Sequence, residues 1–296
     1  MEGKTKEDEK LHKTKEDEKL HRVETLIEAL PYIKDFYGKV FVVKLGGSML
    51  VDEKKRRTVL EDVSLLKFVG IKVILVHGGG KDINSLSEKL GVQVKFIDGL
   101  RQTTDEGLDV VMMVLGKVND EIVEELEGLD CKAIGVTGKT GSMIKARRVE
   151  KLGNVGNIEK IDVSVINGFL EDGYIPIIEP MGLDEHDKAV NINADDVAAS
   201  IAKAMHAEKL IYTTNVPGLL KDEKNEKSLI PSITTKELKE KIKWDEVGGG
   251  MIPKVKSIID AVESGVKSVH IIDGRRDHSL LLEVFTDQGI GTMVTE

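Results

Sequence analysis

The chain has 296 residues with a formal net charge of −9 at pH 7, and 40% of the residues are hydrophobic and 32% are charged. This length and hydrophobic content suffice for one large or two moderate domains with a buried core, whereas the negative charge argues against general nucleic-acid binding. No apolar run reaches the roughly 18 residues of a transmembrane helix, the charged start is unlike a signal peptide, and the lone Cys131 excludes an internal disulfide, so we expect a cytoplasmic protein.

The N-terminal segment repeats the nine residues KTKEDEKLH, at 4–12 and again at 13–21. Its balanced charge and low apolar content predict disorder over residues 1–21. Over residues 22–37 the apolar side chains recur at the spacing of an amphipathic helix, which Pro31 is expected to kink. Because this helix precedes the first strand instead of following one, its apolar stripe would pack on its own body or on another subunit.

The segment Val40–Leu50, VFVVKLGGSML, begins as a strand buried on both faces, and Lys44 lies where that strand is expected to end. Lysine is rarely buried without a partner. The glycines Gly46 and Gly47 let bare N–H groups approach a ligand. A cation beside a row of amides is a receptor for an anion such as a phosphoryl group. The alternative is a snorkelling lysine ahead of a β-turn.

A second buried strand, Lys72–Val76, is followed by His77, by glycines at 78–80 and by a helix to about Leu90. A strand, a glycine cluster and a helix start together make an anion site from free amides and the helix dipole. Ile83 stands where a dinucleotide-binding fingerprint needs glycine, so that motif is absent. A plain glycine turn is the alternative interpretation.

Arg101 follows a short predicted strand, Val92–Ile97, and lies in a turn ahead of a long helix over about 104–127. A guanidinium group there would clamp a carboxylate, although an exposed loop arginine is the commoner case. The sequence GKT at 138–140 lacks the upstream glycine of a P-loop, so we reject that motif. Residues 144–160 are predicted to form a β-hairpin.

Asn193 is expected to cap a helix that carries Asp195 in its first turn. Capping does not account for Asn191, which lies in the segment just before that helix. Lys254 lies near another predicted helix start, where a cation opposes the helix dipole, so we expect an anionic partner nearby. The remaining apolar runs predict strands at 132–136, 174–178, 209–213, 268–272 and 291–294, and helices at 163–172, 234–242 and 278–285.

Strands that alternate with helices predict an α/β fold, with a mostly parallel open sheet between two helix layers in a three-layer αβα sandwich. Ligands of such sheets bind at the carboxyl ends of the strands. Lys44 and the glycines at 78–80 both lie at that edge, so we expect the site there.

Five motifs occur in order: KLGG (44–47), VHGGG (76–80), GLR (99–101), NINAD (191–195) and GGMIPK (249–254). Together, over about residues 23–296, they resemble the N-acetyl-L-glutamate kinases of the amino acid kinase family. The N-terminal helix and GIGTM at 289–293 resemble the arginine-inhibited, hexameric branch of that family. The resemblance implies the amino acid kinase fold and ATP-dependent phosphorylation of the γ-carboxylate of N-acetylglutamate, the second step of arginine synthesis.

The resemblance also implies the catalytic roles. Lys44 would stabilise the transferring phosphoryl group together with the amides of Gly46 and Gly47. Lys254 would stabilise the leaving oxygen, and Asp195 would hold both lysines charged and oriented. A carboxylate substrate needs no general base, so catalysis would be alignment and charge neutralisation. Mg²⁺ would be held mainly by the ATP phosphates, with few protein ligands.

The implied binding residues fall into three groups. N-acetylglutamate would be held in a lobe over residues 38–205, by Gly79, Gly80, Arg101 and Asn191. ATP would be held in a lobe over residues 206–296, by Thr214, Asn215, Gly218 and Lys254. Arginine as an inhibitor would be held by His270, Glu283, Gly289 and Met293. Asn215 stands where the family pattern has aspartate, which leaves the nucleotide contact there open.

Two other functions fit the sequence. A kinase for a carrier-linked aminoadipate or glutamate would use the same motifs, but the compact GLR segment favours a small free substrate. A non-catalytic arginine-sensing scaffold would have the same fold. The joint presence of Lys44, Asp195 and Lys254 argues against a scaffold.

Overall fold

A computed structural model of the chain describes residues 20, 23–97, 99–222, 225–243, 252–287 and 289–296. The segment predicted to be disordered, 1–21, lies outside these ranges apart from Leu20. Among the described residues, no helix combines the length and the apolar character needed to cross a bilayer.

The main sheet has eight strands, and all neighbouring pairs run parallel except β13 with β14. From one edge to the other the strands are β12 (Ser232–Thr234), β14 (Thr292–Thr295), β13 (Ser268–Asp273), β11 (Lys209–Thr214), β1 (Val40–Leu45), β2 (Lys72–His77), β8 (Ile175–Glu179) and β5 (Ala133–Thr137). The two continuous apolar runs, β1 and β2, lie next to each other near the middle of the sheet and are almost wholly buried. Burial on both faces is what such runs predict.

Helices cover both faces of this sheet. The helices are α1 (residues 23–36), α2 (Gly47–Val51), α3 (Glu53–Phe68), α4 (Gly80–Leu90), α5 (Asp105–Glu127), α6 (Ser164–Glu171), α7 (Ala194–Ala204), α8 (Thr235–Lys243), α9 (Ile252–Glu263) and α10 (Ser279–Val284). One core cluster packs α3, α5 and α10 on the first face, and the other packs α6, α7 and α9 on the second. The predicted three-layer αβα sandwich is therefore confirmed.

Two small sheets lie outside the main one. The larger has the strand order β10 (Ala189–Asn191), β9 (Met181–Leu183), β6 (Ile144–Arg148) and β7 (Gly156–Ile161). Its antiparallel β6–β7 pair confirms the hairpin predicted for residues 144–160. The smaller sheet is the hairpin of β3 (Lys95–Ile97) and β4 (Leu100–Gln102).

Two local predictions were wrong. Arg101 lies on strand β4 and not in a turn, and the preceding strand starts at Lys95 and not at Val92. Gly47 opens a short helix, α2, where a β-turn was the alternative considered. These segments are short, and the tertiary contacts of their neighbours decide their conformation. The helix over residues 23–36 continues through Pro31 without a break.

Candidate active site

Three charged side chains meet at the carboxyl edge of the main sheet. Lys44 comes from the end of β1, Asp195 from the first turn of α7 and Lys254 from the first turn of α9. The Lys44 ammonium nitrogen lies 3.0 Å from Oδ1 of Asp195, and that of Lys254 lies 2.5 Å from Oδ2. We call these residues the ammonium–carboxylate cluster. The sequence predicted that two distant lysines would converge on one acid, and the structure brings them together.

Burial and charge act in opposite directions on this cluster. Burial raises the pKa of Asp195, but the two ammonium groups outweigh it and hold that pKa below its ordinary value. Burial lowers the pKa of Lys254, and the charge of Lys44 lowers it further, while Asp195 raises it. A carboxylate between two cations leaves a net positive charge, which suits an anionic ligand.

The end of β1 is tied to the end of β11 through Thr213. The N–H of Gly46 donates to the Thr213 hydroxyl at 3.0 Å, and that hydroxyl donates to the carbonyl oxygen of Lys44 at 3.1 Å. A Cβ atom on Gly46 would lie 2.4 Å from the Thr213 carbonyl oxygen, so only glycine fits there. The Gly46 amide is thus already paired, whereas Gly47 has open space and lines the adjacent cavity.

A cavity of about 420 Å³ opens beside Lys44. Its lining includes all the residues that the sequence assigned to the amino-acid substrate: Gly79, Gly80, Arg101 and Asn191. The Arg101 guanidinium lies over the Phe96 ring, 5.0 Å from the centroid, and donates to Oδ1 of Asn84 at 2.5 Å. Its position is therefore fixed by neighbours of the cavity wall.

A buried polar pair that the sequence analysis missed lies behind the glycine loop. Nδ1 of His77 lies 3.1 Å from the Gly78 carbonyl oxygen, and Nδ2 of Asn119 lies 3.0 Å from Nε2 of His77. Asn119 also donates to the carbonyl oxygen of Ile177 at 2.9 Å. Burial lowers the pKa of His77 to about 4, so the ring is neutral. We assign its proton to Nδ1, which donates to Gly78, while Nε2 accepts from Asn119.

A second missed network supports Asn191. The Asn191 N–H donates to the carbonyl oxygen of Asn154 at 2.9 Å. The side-chain oxygen of Asn154 accepts from Arg148 at 2.5 Å, and Arg148 also pairs with the buried Asp184 at 2.7 Å. No spacing in the sequence connects these residues, because they meet only when the β6–β7 hairpin packs on β9 and β10.

The sequence profile described as the amino acid kinase family matches residues 39–273. The chain belongs to the amino acid kinase family. An acetylglutamate kinase of Methanocaldococcus jannaschii is 47% identical over 288 residues, covering 93% of this chain and 96% of that protein. An acetylglutamate kinase of Campylobacter jejuni strain RM1221 is 48% identical over 274 residues, covering 92% and 98%.

Among solved structures, an N-acetylglutamate synthase from Neisseria gonorrhoeae, complexed with coenzyme A and N-acetyl-glutamate, has a TM-score of 0.82 and 26% identity. The match covers 93% of this chain but 63% of the synthase, so this chain spans less than two-thirds of that protein's length. The shared part therefore corresponds to nearly all of the amino acid kinase fold described above.

The residues assigned to the nucleotide in this amino acid kinase differ in their exposure and in their contacts. Thr214 Oγ1 accepts from the Val216 N–H at 3.2 Å and so stabilises the turn after β11. Asn215 is exposed. Gly218 lies against β14, where a Cβ atom would lie 2.5 Å from Thr292 Oγ1, so packing alone explains this glycine. Their contact with a nucleotide stays a prediction.

The described residues form no cluster of three or more His, Cys, Asp or Glu side chains that could hold a metal ion. Both oxygens of Asp195 already face ammonium groups. The family implies ATP, generally with Mg²⁺. The described donor set fits a metal that is carried on the nucleotide phosphates better than one held in a protein cage.

A second cavity, of about 670 Å³, lies between α1 and the C-terminal part of the chain. Tyr32, Phe36 and Lys209 line it. The four residues assigned to arginine line it as well: His270, Glu283, Gly289 and Met293. Glu283 accepts from the N–H groups of Ile290 and Gly291 at 2.7 and 3.0 Å and pairs with His270 at 2.6 Å. Burial raises the pKa of Glu283, but these partners outweigh it and keep the carboxylate charged.

Proposed function

We propose that this protein transfers the γ-phosphoryl group of ATP to the γ-carboxylate of N-acetyl-L-glutamate, giving N-acetyl-L-glutamyl 5-phosphate. The single observation that carries the proposal is the ammonium–carboxylate cluster beside a cavity that holds Arg101. The substrate comes from the relatives named acetylglutamate kinase, which are 47% and 48% identical over more than nine-tenths of this chain.

The cavity supplies the groups that an acylated amino acid needs. Arg101 forms the clamp for the α-carboxylate, because a guanidinium group binds a carboxylate through two parallel hydrogen bonds. Gly80 opens α4, and Gly79 and Gly80 both line the cavity, where their backbone amides bind the substrate. Asn191 offers amide groups to the polar atoms of the substrate.

The reaction itself requires alignment and charge neutralisation. The γ-carboxylate is already a nucleophile, so no general base is needed. Lys44 lines the cavity and stabilises the charge on the phosphoryl group in transfer, together with the amide of Gly47, which lines the same cavity. Lys254 neutralises the leaving oxygen of the nucleotide, and Asp195 orients both lysines. Mg²⁺ bound to ATP supplies further neutralisation of the phosphates.

The proposed division into lobes follows the order of these residues. The N-acetylglutamate groups lie in residues 38–205, and the nucleotide groups, with Thr214, Asn215 and Gly218, lie in residues 206–296. Asn215 is exposed near the end of β11, which is compatible with contact to a nucleotide. We further propose that arginine inhibits the protein and that α1 joins the chains into a homohexamer.

Arginine regulation is supported by the charge of the second cavity. Glu283 provides a carboxylate for the guanidinium group of arginine, and Asp287 provides another at the cavity wall. Lys209 provides an ammonium group for the carboxylate of arginine. Oligomerisation is supported by the apolar stripe of α1, where the exposed fractions of Leu26 and Ile27 are 71% and 62%.

One assay tests the proposed reaction. The purified protein is incubated with ATP, Mg²⁺ and free N-acetylglutamate in hydroxylamine, which converts an acyl phosphate into a coloured hydroxamate. We expect hydroxamate and ADP in equal amounts, and neither without N-acetylglutamate. Product with only a carrier-linked aminoadipate or glutamate would favour the alternative kinase. No product with either substrate would favour a non-catalytic scaffold. Adding arginine to the same assay tests inhibition.

A further inference from the structure

Tyr212 contacts two of the three members of the ammonium–carboxylate cluster. It lies on β11 directly beside Lys44 of β1 in the parallel register, and it is fully buried. The Lys254 ammonium nitrogen lies 4.6 Å from the centroid of the Tyr212 ring. The phenol hydroxyl donates to the backbone carbonyl oxygen of Asp195 at 3.2 Å. The Ser257 side chain on α9 also faces the phenol hydroxyl.

These contacts connect three separate elements. The ring meets Lys254 in the first turn of α9, and the hydroxyl meets the first turn of α7 at Asp195. Ser257 is one helical turn after Lys254, so α9 contacts the phenol at two points. A leucine or isoleucine would fill most of the same space in the core. Neither could make the hydroxyl bond to Asp195 or offer the negative face of an aromatic ring.

The ring face matters because Lys254 is buried, and burial opposes its charged form. Among the residues that the structure describes, the charged groups that face it are Asp195 and Asp196 on α7 and Lys44 on β1, and Tyr212 faces it from β11. Burial opposes the ammonium form, and so does Lys44. A desolvated ammonium group over an aromatic face is attracted by the ring quadrupole. Like the two aspartates, the ring therefore favours the charged form of Lys254.

The geometry points to Tyr212 as a positioning residue for phosphoryl transfer: its ring holds the Lys254 ammonium group, and its hydroxyl fixes Asp195 relative to β11. This role rests on the proposed function, since it concerns the lysine assigned to the leaving oxygen. Tyr212 does not line the cavity beside Lys44, which is the cavity assigned to N-acetylglutamate. We therefore expect substitutions of Tyr212 to change kcat and the KM for ATP, and to leave the KM for N-acetylglutamate nearly unchanged.

The test compares Tyr212→Phe, which keeps the ring, with Tyr212→Leu, which removes it. The titration of Lys254 is followed by competitive labelling with trace acetic anhydride, quantified by mass spectrometry of the peptide that contains Lys254. We expect Tyr212→Leu to lower the midpoint by about half to one pH unit, since loss of a cation–π contact disfavours the charged form. Tyr212→Phe should leave the midpoint unchanged.

Steady-state kinetics give the second readout. In Tyr212→Leu the alkaline limb of the kcat profile should move down in pH by the same amount, with kcat at neutral pH falling about tenfold. The KM for N-acetylglutamate should stay within about twofold of the parent value. In Tyr212→Phe the alkaline limb should not move, while a smaller fall in kcat would report the lost hydroxyl bond to Asp195.

Tyr174→Leu is the matched control. Lys132 lies 5.6 Å from the centroid of the Tyr174 ring, and Tyr174 precedes β8 at the edge of the sheet opposite the cluster. This variant loses a cation–π contact but should leave the titration of Lys254 and the kcat profile unchanged. Tyr212→Met replaces Tyr212→Leu if the thermal midpoint shows that the leucine variant does not fold.

Two results overturn the role of Tyr212: an unchanged Lys254 midpoint in the leucine and methionine variants, or an equal shift in Tyr212→Phe. The labelling experiment needs no turnover, so it separates this inference from the proposed function. A parent protein without N-acetylglutamate-dependent turnover contradicts the proposed function, while the Lys254 titration still decides whether Tyr212 holds the ammonium group.

Discussion

Asp195 lies between two ammonium groups, and each single substitution in this cluster therefore changes the charge that the others experience. Removing one lysine leaves a neutral ion pair, whereas removing the aspartate leaves two facing cations. Loss of one partner of a buried pair is costly when the other stays charged and unpaired. Here Asp195 has two partners, so either lysine can be replaced while the carboxylate remains paired.

For this reason Lys44→Met should fold and yet lose activity. Lys254 still pairs with Asp195 in this variant, so the thermal midpoint should fall by only a few degrees. Because an electrostatic contact to the transferring phosphoryl group is lost, kcat should fall about 10²- to 10³-fold. Lys54→Met, at an exposed position of α3, is the control and should keep full activity. Near-parental kcat in Lys44→Met would remove Lys44 from the chemistry.

Arg101→Ala separates the two substrates. Its guanidinium group lies on the wall of the cavity near Lys44, so the KM for N-acetylglutamate should rise by at least tenfold. The KM for ATP should change little. The measurement is initial-rate kinetics with each substrate varied in turn, and Arg57→Ala on α3 is the control for loss of a surface arginine. Equal increases in both KM values would contradict the carboxylate clamp.

At the scale of elements, the glycine loop between β2 and α4 depends on a neighbouring helix and strand. Asn119 of α5 holds His77, which in turn holds the carbonyl group of Gly78. Gly135 of β5 leaves the space that Asn119 occupies, since a Cβ atom there would lie 2.0 Å from Oδ1 of Asn119. The conformation of this glycine loop, the substrate loop, therefore depends on residues of α5 and β5.

Gly135→Ala tests this dependence. Asn119 would have to move and give up its bonds to His77 and Ile177, so overpacking should cost about 1–3 kcal/mol of unfolding free energy. The thermal midpoint should fall by several degrees, and the KM for N-acetylglutamate should rise more than that for ATP. Gly168→Ala on α6, where nothing lies within 4 Å of the new Cβ, should instead be neutral or stabilising. A similar response of both variants would show that Asn119 does not support the loop.

The same dependence explains which parts of the fold were predictable. Continuous apolar runs such as β1 and β2 carry their own signal, and so does the cap Asn193, whose side chain accepts from the Asp195 N–H at 2.8 Å. Strands of three residues, such as β9 and β10, have no periodicity to read. Contacts such as His77 with Asn119 join residues with no common motif, so the network behind the substrate loop could not be predicted.

At the scale of the whole molecule, α1 connects the apolar stripe at residues 23–30 with the second cavity. Tyr32 and Phe36 of this helix line the cavity, and the Tyr32 hydroxyl donates to Asp287. The Lys209 ammonium group lies 5.1 Å from the centroid of the Phe36 ring. An assembly built through the stripe would therefore hold one wall of the proposed arginine site in place.

The double substitution Leu26→Asp with Ile27→Asp tests this connection. Both side chains are exposed in the isolated chain, so the fold should be retained, whereas charge in an apolar interface should dissociate the assembly. Sedimentation velocity should show a smaller species, and arginine should inhibit N-acetylglutamate phosphorylation more weakly. Glu24→Gln with Glu28→Gln, on exposed positions of the same helix, should leave both properties unchanged. Identical sedimentation of the aspartate variant and the parent would exclude the stripe as the assembly surface, and any weakening of inhibition would then have to arise within one chain.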